Sequence, residues 1–502
     1  MYENELELKN GLVLTDERHI EIFSKLLELK PHRNIQFLHN EIGLGNLFAE
    51  CFKDTTRFCV DNQQWYCYDN GVWVHDKGEI NTQRNMQELL QLLSIYCSEI
   101  ATDDNAEEIK KYKQYINKCS SDVVLRRGLN TSKNMLVVEL TDFDKDPYLL
   151  NCANGAYNLR TGKISPSEPE QYFTKRTNTH TLHSLTKKCD RWYQFIDEIM
   201  SHDKEKASFL QRALGYSILG VNKEECMFIA YGAKSRNGKG TLFHAINKAL
   251  SSDYAGSVDT DLICVDRRGK TRDFNAPQPA LRKIVGTRLV TMSENDRDVM
   301  LASASVKAIT GRDEMMTRGL HENPISFIPQ FTMWLLTNYL PAVNDDTIFK
   351  SDRVWVIEFN EHFDETNRDN DLKDFFTQPS NLPTVLDWLI EGCKDYLKNG
   401  LNPPECVREA TRKYRDMYDK VGMFIKECCE INEEKKVLRG DLNSAYRQWC
   451  CKPDNRFSPL GSQKFYGEIG LRGFPVGLYQ GEYFFKGLCL REKQGENFDI
   501  FR

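Results

Sequence analysis

Apolar residues recur along this chain at two spacings, and the switches between them divide it into elements. Residues 1 to about 40 are charged and helix-like. Alternation at Gln64–Tyr68 and again at Val72–Val74, around Asp69-Asn70-Gly71, predicts a β-hairpin with a primed turn and Trp65 and Trp73 in its core. From 81 to 115 the spacing of Met86, Leu89, Leu90, Leu93 and Tyr96 predicts helix. Two short strands with turns at Asn154-Gly155 and Thr161-Gly162 follow. Helical spacing then returns over 190–200 and 204–219, where Phe209, Leu210, Leu214 and Ile218 share a face.

Beyond residue 225 the apolar positions become continuous short runs. Cys226 to Tyr231, Ile284 to Glu294, Phe331 to Asn338 and Val354 to Phe359 each predict a buried strand, with helix-compatible segments between them. That alternation predicts an α/β core. After Pro403-Pro404, helical stretches around Arg408–Asp419, Val421–Cys429, Arg439–Trp449 and Ser462–Ile469 precede the β-prone Tyr479–Phe485. The last three helices and the β segment resemble a winged helix, with Lys464 and Arg472 at DNA phosphates. Winged helices also dock proteins, and both uses stay open. The expected division is a mixed α+β N-terminal domain (1–185), a helical collar (186–225), the α/β core (226–400) and a winged-helix-like C-terminal domain (401–502).

Composition narrows the classes. The 502 residues are 40% hydrophobic and 28% charged, as in ordinary globular proteins, with length for roughly three domains. No apolar run reaches a membrane span, and the acidic N-terminus lacks a signal-peptide pattern. A net charge of −6 confines any nucleic-acid contact to a local surface or an oligomeric channel. The sixteen cysteines are scattered without any C-x-x-C, so free thiols in a reducing cytoplasm are expected in preference to a zinc site.

The chemistry concentrates in Tyr231-Gly232-Ala-Lys-Ser-Arg236-Asn237-Gly238-Lys239-Gly240-Thr241. A strand, a glycine-rich turn and a helix in that order make a phosphate cradle, with backbone N–H groups and a helix N-terminus facing the anion. Lys239 would reach the β/γ-phosphates of ATP. The loop is one residue longer than G-x-x-x-x-G-K, and Gly240 takes the place after the lysine, so the Mg²⁺-binding hydroxyl falls on Thr241. Downstream, one apolar run ends at Glu294 and another at Asn338, while Arg353 precedes the last. Singly these are ordinary turn and surface residues. Their order matches what nucleotide hydrolysis needs: an acid for metal and water, an amide for the γ-phosphate, and an arginine finger. Met316 to Phe327 reads as a hairpin with a polar tip, and Arg267, Arg268, Lys270 and Arg272 as a solvated loop or a DNA or subunit contact.

These segments, together with Lys307-Ala-Ile-Thr-Gly311-Arg312-Asp313, Trp334-Leu-Leu-Thr-Asn338-Tyr-Leu-Pro341 and Asn154-Gly155-Ala-Tyr-Asn-Leu-Arg-Thr161-Gly162, resemble the superfamily 3 helicases of the poxvirus, phage and plasmid primase-helicase type. The similarity runs over roughly residues 40 to 490. It implies an AAA+-like P-loop core that binds ATP and Mg²⁺ through Gly232, Arg236, Asn237, Gly238, Lys239, Gly240 and Thr241. Lys239, Glu294, Asn338 and Arg353 would be catalytic, Thr241 and Glu294 would serve the metal, and Arg353 would reach a neighbour's ATP. The hairpin would grip single-stranded DNA in a central channel. Where relatives carry a lysine near its tip this chain has His321-Glu322, so Arg318 shares or replaces that contact. The resemblance further implies a homo-hexamer, 3′→5′ movement, forked DNA substrates, primase or other replication proteins as partners, and a place in a bacterial cytoplasm or viral replication compartment. Two alternatives stay open: a DNA-binding initiator whose nucleotide switches assembly, and a combined primase-helicase, for which residues 1–185 offer no convincing D-x-D on a strand pair as a polymerase metal site.

Overall fold

Five short strands lie side by side, all parallel, in a computed structural model that describes residues 6–9, 11–182, 188–266, 278–293, 299–319, 324–343, 347–452 and 459–491. Across the sheet they run Ala255–Asp259, Leu289–Ser293, Thr332–Thr337, Met227–Tyr231 and Val354–Glu358. The Met227–Tyr231 strand therefore has a partner on each side, with Phe228 opposite Trp334 on one and Trp355 on the other. Parallel strands covered on both faces need apolar residues at every position, which is why these runs lack alternation. Period two reappears in what each residue touches. Phe228, Ala230, Trp334 and Ile357 enter one buried cluster, and Met227, Ile229, Leu335 and Val356 enter another on the opposite face. Phe228 and Trp334 stack at 4.6 Å, and the indole N–H donates to the Ser217 hydroxyl at 2.9 Å.

The first cluster is capped by helices Asp190–Ile199, Lys204–Tyr216, Lys239–Tyr254 and Leu382–Asn399. Lys204–Tyr216 and Leu382–Asn399 cross backbone to backbone: a Cβ on Gly215 would lie 2.1 Å from Cys393 N, and one on Gly392 2.1 Å from Gln211 O. Leu150, Tyr157 and Leu159, from the antiparallel strands Leu149–Cys152 and Gly155–Asn158 and the residue after them, join this cluster. Arg288 ties that segment to the sheet, donating to Ile218 O at 2.9 Å and Leu149 O at 2.6 Å. On the other face, helix Glu405–Asp416 packs along the Val354–Glu358 strand and buries Tyr414, whose hydroxyl donates to Pro341 O at 2.8 Å.

Upstream, a separate core gathers residues from Leu8 to Leu136. Its hairpin forms as predicted, with Gln64–Asp69 antiparallel to Val72–His75 and both turn residues at positive φ (Asn70 47°, Gly71 85°). Trp65 and Trp73 are each 1% exposed, so they are core. The single helix expected over 81–115 is two, Ile80–Ile100 and Ala106–Cys119. Between them Ala101 is extended and Thr102 caps the short turn Asp103–Asn105, the local side-chain bonding that Thr, Asp and Asn favour over continued helix.

At the C-terminal end, helices Lys420–Cys428, Arg439–Cys450 and Ser462–Leu471 enclose a core with the strands Cys429–Leu438, Val476–Tyr479 and Glu482–Leu490. Arg472, expected at phosphates, is instead bound within this unit, to Asp419 at 2.5 Å and Glu468 at 2.7 Å. No helix among the described residues is long and apolar enough to cross a membrane.

Candidate functional site

Parallel alignment brings the C-terminal ends of the central strands to one edge, with Tyr231 level with Thr337 and Glu358. Ligands of open α/β sheets bind outside that edge, where successive connections leave in opposite directions. Here the chain turns through residues 232–238 into the helix Lys239–Tyr254, which starts at the lysine itself. The loop is held from both sides: Gly232 N donates to Thr337 O at 3.1 Å, and Phe359 N and Phe363 N donate to Tyr231 O and Arg236 O at 2.7 and 2.8 Å. Asn237 is buried and braces the turn through Lys234 O at 2.7 Å. Arg236 and Gly238 take positive φ, 58° and 84°.

Lys239 is 7% exposed, yet its ammonium meets only neutral oxygens, Asn338 Oδ1 at 3.1 Å and Gly232 O at 3.5 Å. Among the described residues no carboxylate pairs with it. Burial pushes its pKa down to about 8. A buried cation facing neutral acceptors can pair with an anion. The glycines fit that use: a Cβ on Gly232 would fall 2.0 Å from Asn237 Nδ2 and 2.8 Å from Lys239 Nζ. Gly240 faces open space, so its lack of a side chain is not a packing need.

Thr241 is half-buried on the first helical turn and lines a cleft of about 260 Å³ with Gly238, Phe195, Phe363 and Lys373. Across it, Arg191 and Glu198 form a bidentate pair with both bonds at 3.1 Å. Sequence reading missed this wall. Its residues come from the helix before the cradle and the segment after the last strand, and only folding brings them together.

The other expected residues divide. Asn338 joins Lys239, while Arg353 lies at the opposite ends of the strands, a strand length of roughly 17 Å away. There its guanidinium donates to Glu225 Oε2 at 2.8 Å and Thr310 Oγ1 at 2.9 Å, and its side chain is 19% exposed. Arg312, more exposed, shares the same carboxylate at 3.4 Å. Glu294, His321 and the basic residues Arg267, Arg268, Lys270 and Arg272 lie outside the described residues. The strand leading to Glu294 ends at Ser293, level with Leu336 on the cradle's side of the sheet. Met315–Thr317 and Ile325–Phe327 pair antiparallel, as the expected hairpin, with Arg318 exposed beside them. Lys464 is exposed on Ser462–Leu471.

Residues 45–201 match the family described as D5 N terminal like. The chain is 25% identical over 429 residues to a putative helicase of Acanthamoeba polyphaga mimivirus, covering 78% of this chain and 43% of that protein. It is 24% identical over 341 residues to a putative helicase of Invertebrate iridescent virus 3 (61% and 35%) and 26% over 238 residues to one of Sputnik virophage (45% and 30%). The chain thus spans less than half the length of these relatives. Among solved structures, the A form apo structure of the NrS-1 C terminal region aligns over 86% of this chain and 95% of that one, with 11% identity and a TM-score of 0.43. Residues 45–201 are thus similar to the D5 N-terminal-like family, and the chain is similar in sequence to the viral putative helicases, in line with its resemblance to superfamily 3 helicases of the primase-helicase type.

Proposed function

We propose that this chain is an ATP-dependent DNA helicase or translocase of viral, phage or mobile-element replication, built on a P-loop core and completed by a winged-helix module. The observation that carries the reading is Lys239, buried without a counter-ion among the described residues, between Asn338 and Gly232 at the end of a parallel strand inside the sheet. A nucleotide's phosphates supply the missing anion.

In this reading Lys239 binds the β/γ-phosphates, Asn237 keeps the loop open, and Asn338 orients the terminal phosphate. The cleft beside Thr241 takes the rest of the nucleotide. Thr241 and Glu294 would hold Mg²⁺, which would supply neutralisation of charge developing on the phosphates. Arg353 reaches a nucleotide held by a neighbouring copy in a ring, and the hairpin segment with Arg318 and His321 grips one DNA strand. Lys464 lies on the helix offered to duplex DNA.

Strand displacement on a forked duplex with ATP tests this, run beside Lys239→Ala and Arg353→Ala proteins. Unwinding and ATP turnover are expected to be lost in both. Unwinding that survives either change overturns the mechanism, and turnover with DNA binding but no displacement identifies an ATP-switched initiator instead.

A further inference from the structure

The C-terminal unit carries a second polar cleft, remote in sequence from the cradle, of about 470 Å³. Arg439 lines it, with its guanidinium 4.0 Å over the Tyr466 ring and 5.3 Å from the Tyr483 ring. Arg439 Nε is buried and has no hydrogen-bond acceptor among the described residues, a costly state for a charged donor. Asp441, Gln463 and Glu482 border the opening, and no hydrogen bond or ion pair to another described residue engages their side chains. Tyr483 is 53% exposed and Tyr479 61%, with Lys436 5.2 Å over the Tyr479 ring.

Exposed tyrosines interleaved with arginine and lysine form a surface on which flat aromatic ligands stack. The two carboxylates at the rim argue against a track for bare phosphates. They suit a ligand that presents both acceptors and donors at one planar edge: a carbonyl or ring nitrogen for Arg439, an exocyclic amino group for Asp441 or Glu482. We infer that this cleft holds an unpaired nucleobase of single-stranded DNA, stacked on Tyr483 and the Arg439 guanidinium. The inference rests on the proposed handling of single-stranded DNA but not on ATP turnover. It adds a base contact at Arg439 and Tyr483, beside the helix that carries Lys464.

The full chain, without ATP, is titrated with a fluorescent single-stranded oligonucleotide and with the same length carrying abasic sites. Loss of one stacked base weakens binding about tenfold, so Tyr483→Ala and Arg439→Gln are expected to bind the normal strand about tenfold more weakly than wild type. Both variants are expected to bind the abasic strand as wild type does and to keep wild-type ATP turnover, while Tyr483→Phe, which keeps the ring, restores affinity. Lys239→Ala protein is expected to bind both strands like wild type, so failure of the motor reading leaves this outcome legible. Equal affinity of wild type and Tyr483→Ala for the normal strand overturns the inference, as does an equal loss on normal and abasic strands. Absence of any single-strand binding by wild type overturns it together with the DNA half of the proposed function.

Discussion

Arg353 is paired within its own chain: its guanidinium meets the Glu225 carboxylate at 2.8 Å, at the strand ends opposite Lys239. A trans-acting finger must leave that partner, so the two roles separate by substitution. Glu225→Gln weakens a charge-assisted, partly exposed bond and is expected to cost about 1 kcal/mol of stability while ATP turnover persists. Arg353→Ala is expected to lose both. In mixed assemblies a few Arg353→Ala subunits are expected to silence many wild-type ones, and a linear fall in turnover with mutant fraction would refute the finger.

Lys239 gives the cradle a pH signature. Its pKa falls from 10.5 to about 8 through burial. Between those values the unfolded chain holds more protons, so the charged lysine burdens the fold below pH 8 and the burden lifts as pH rises through 8. Bound phosphate favours the charged form and reverses the shift. Nucleotide binding near pH 8.5 is therefore expected to take up about three quarters of a proton, read by calorimetry in two buffers of different ionisation enthalpy. Lys239→Met protein should show none.

The loop glycines are expected to differ sharply. Gly238→Ala forces a Cβ to within 2.3 Å of Ile199 Cγ2 at a φ of 84°, and nucleotide binding should collapse. Gly240→Ala meets nothing within 4 Å and should stabilise the helix by about 0.5–1 kcal/mol. Gly240→Ser offers a direct test of the metal hydroxyl. If Thr241 holds Mg²⁺, Thr241→Ala abolishes turnover; rescue by an added Gly240→Ser would move the metal to the position after the lysine.

Where helices Lys204–Tyr216 and Leu382–Asn399 cross, Gly392→Ala would press a methyl into Gln211 O. A loss of about 1–3 kcal/mol is expected from such overpacking, measured by denaturant titration, with no change in nucleotide affinity per folded molecule.

Arg472→Ala is expected to loosen the C-terminal unit and leave DNA affinity almost unchanged, the reverse of what its basic character alone implies. Burial raises the Asp419 pKa, but the bond from Arg472 outweighs this and holds it below the ordinary carboxylate range. That contribution is present above the unfolded carboxyl's pKa and is lost as pH falls through the lower folded value. Acid unfolding of Arg472→Ala protein should accordingly begin at a higher pH than that of wild type.

Much of this architecture was legible because burial on both faces leaves a plain mark. Phe228–Tyr231, Trp334–Leu336 and Val354–Ile357 read as strands without any partner in view. The edge strand Ala255–Asp259 did not, since its small and polar residues are covered on one side at most. Nor did Cys429–Leu438, whose charged residues hold strand geometry only through pairing with Glu482–Leu490. Lys239 and Asn338 were legible as residues, but their 3.1 Å contact depends on strand order, which no local pattern encodes. The same holds for the cleft wall of Arg191, Glu198 and Lys373.

The inner place of Met227–Tyr231 has a consequence for synthesis. Both of its neighbours lie later in the chain, the nearer beginning about a hundred residues downstream at Thr332. At about 5–20 residues per second, a ribosome leaves this apolar strand without its sheet partners for roughly 5–20 s. Two open edges over that interval invite wrong pairing between nascent chains. The segment that leads into the glycine-rich loop is thus also one left long without its sheet partners during synthesis.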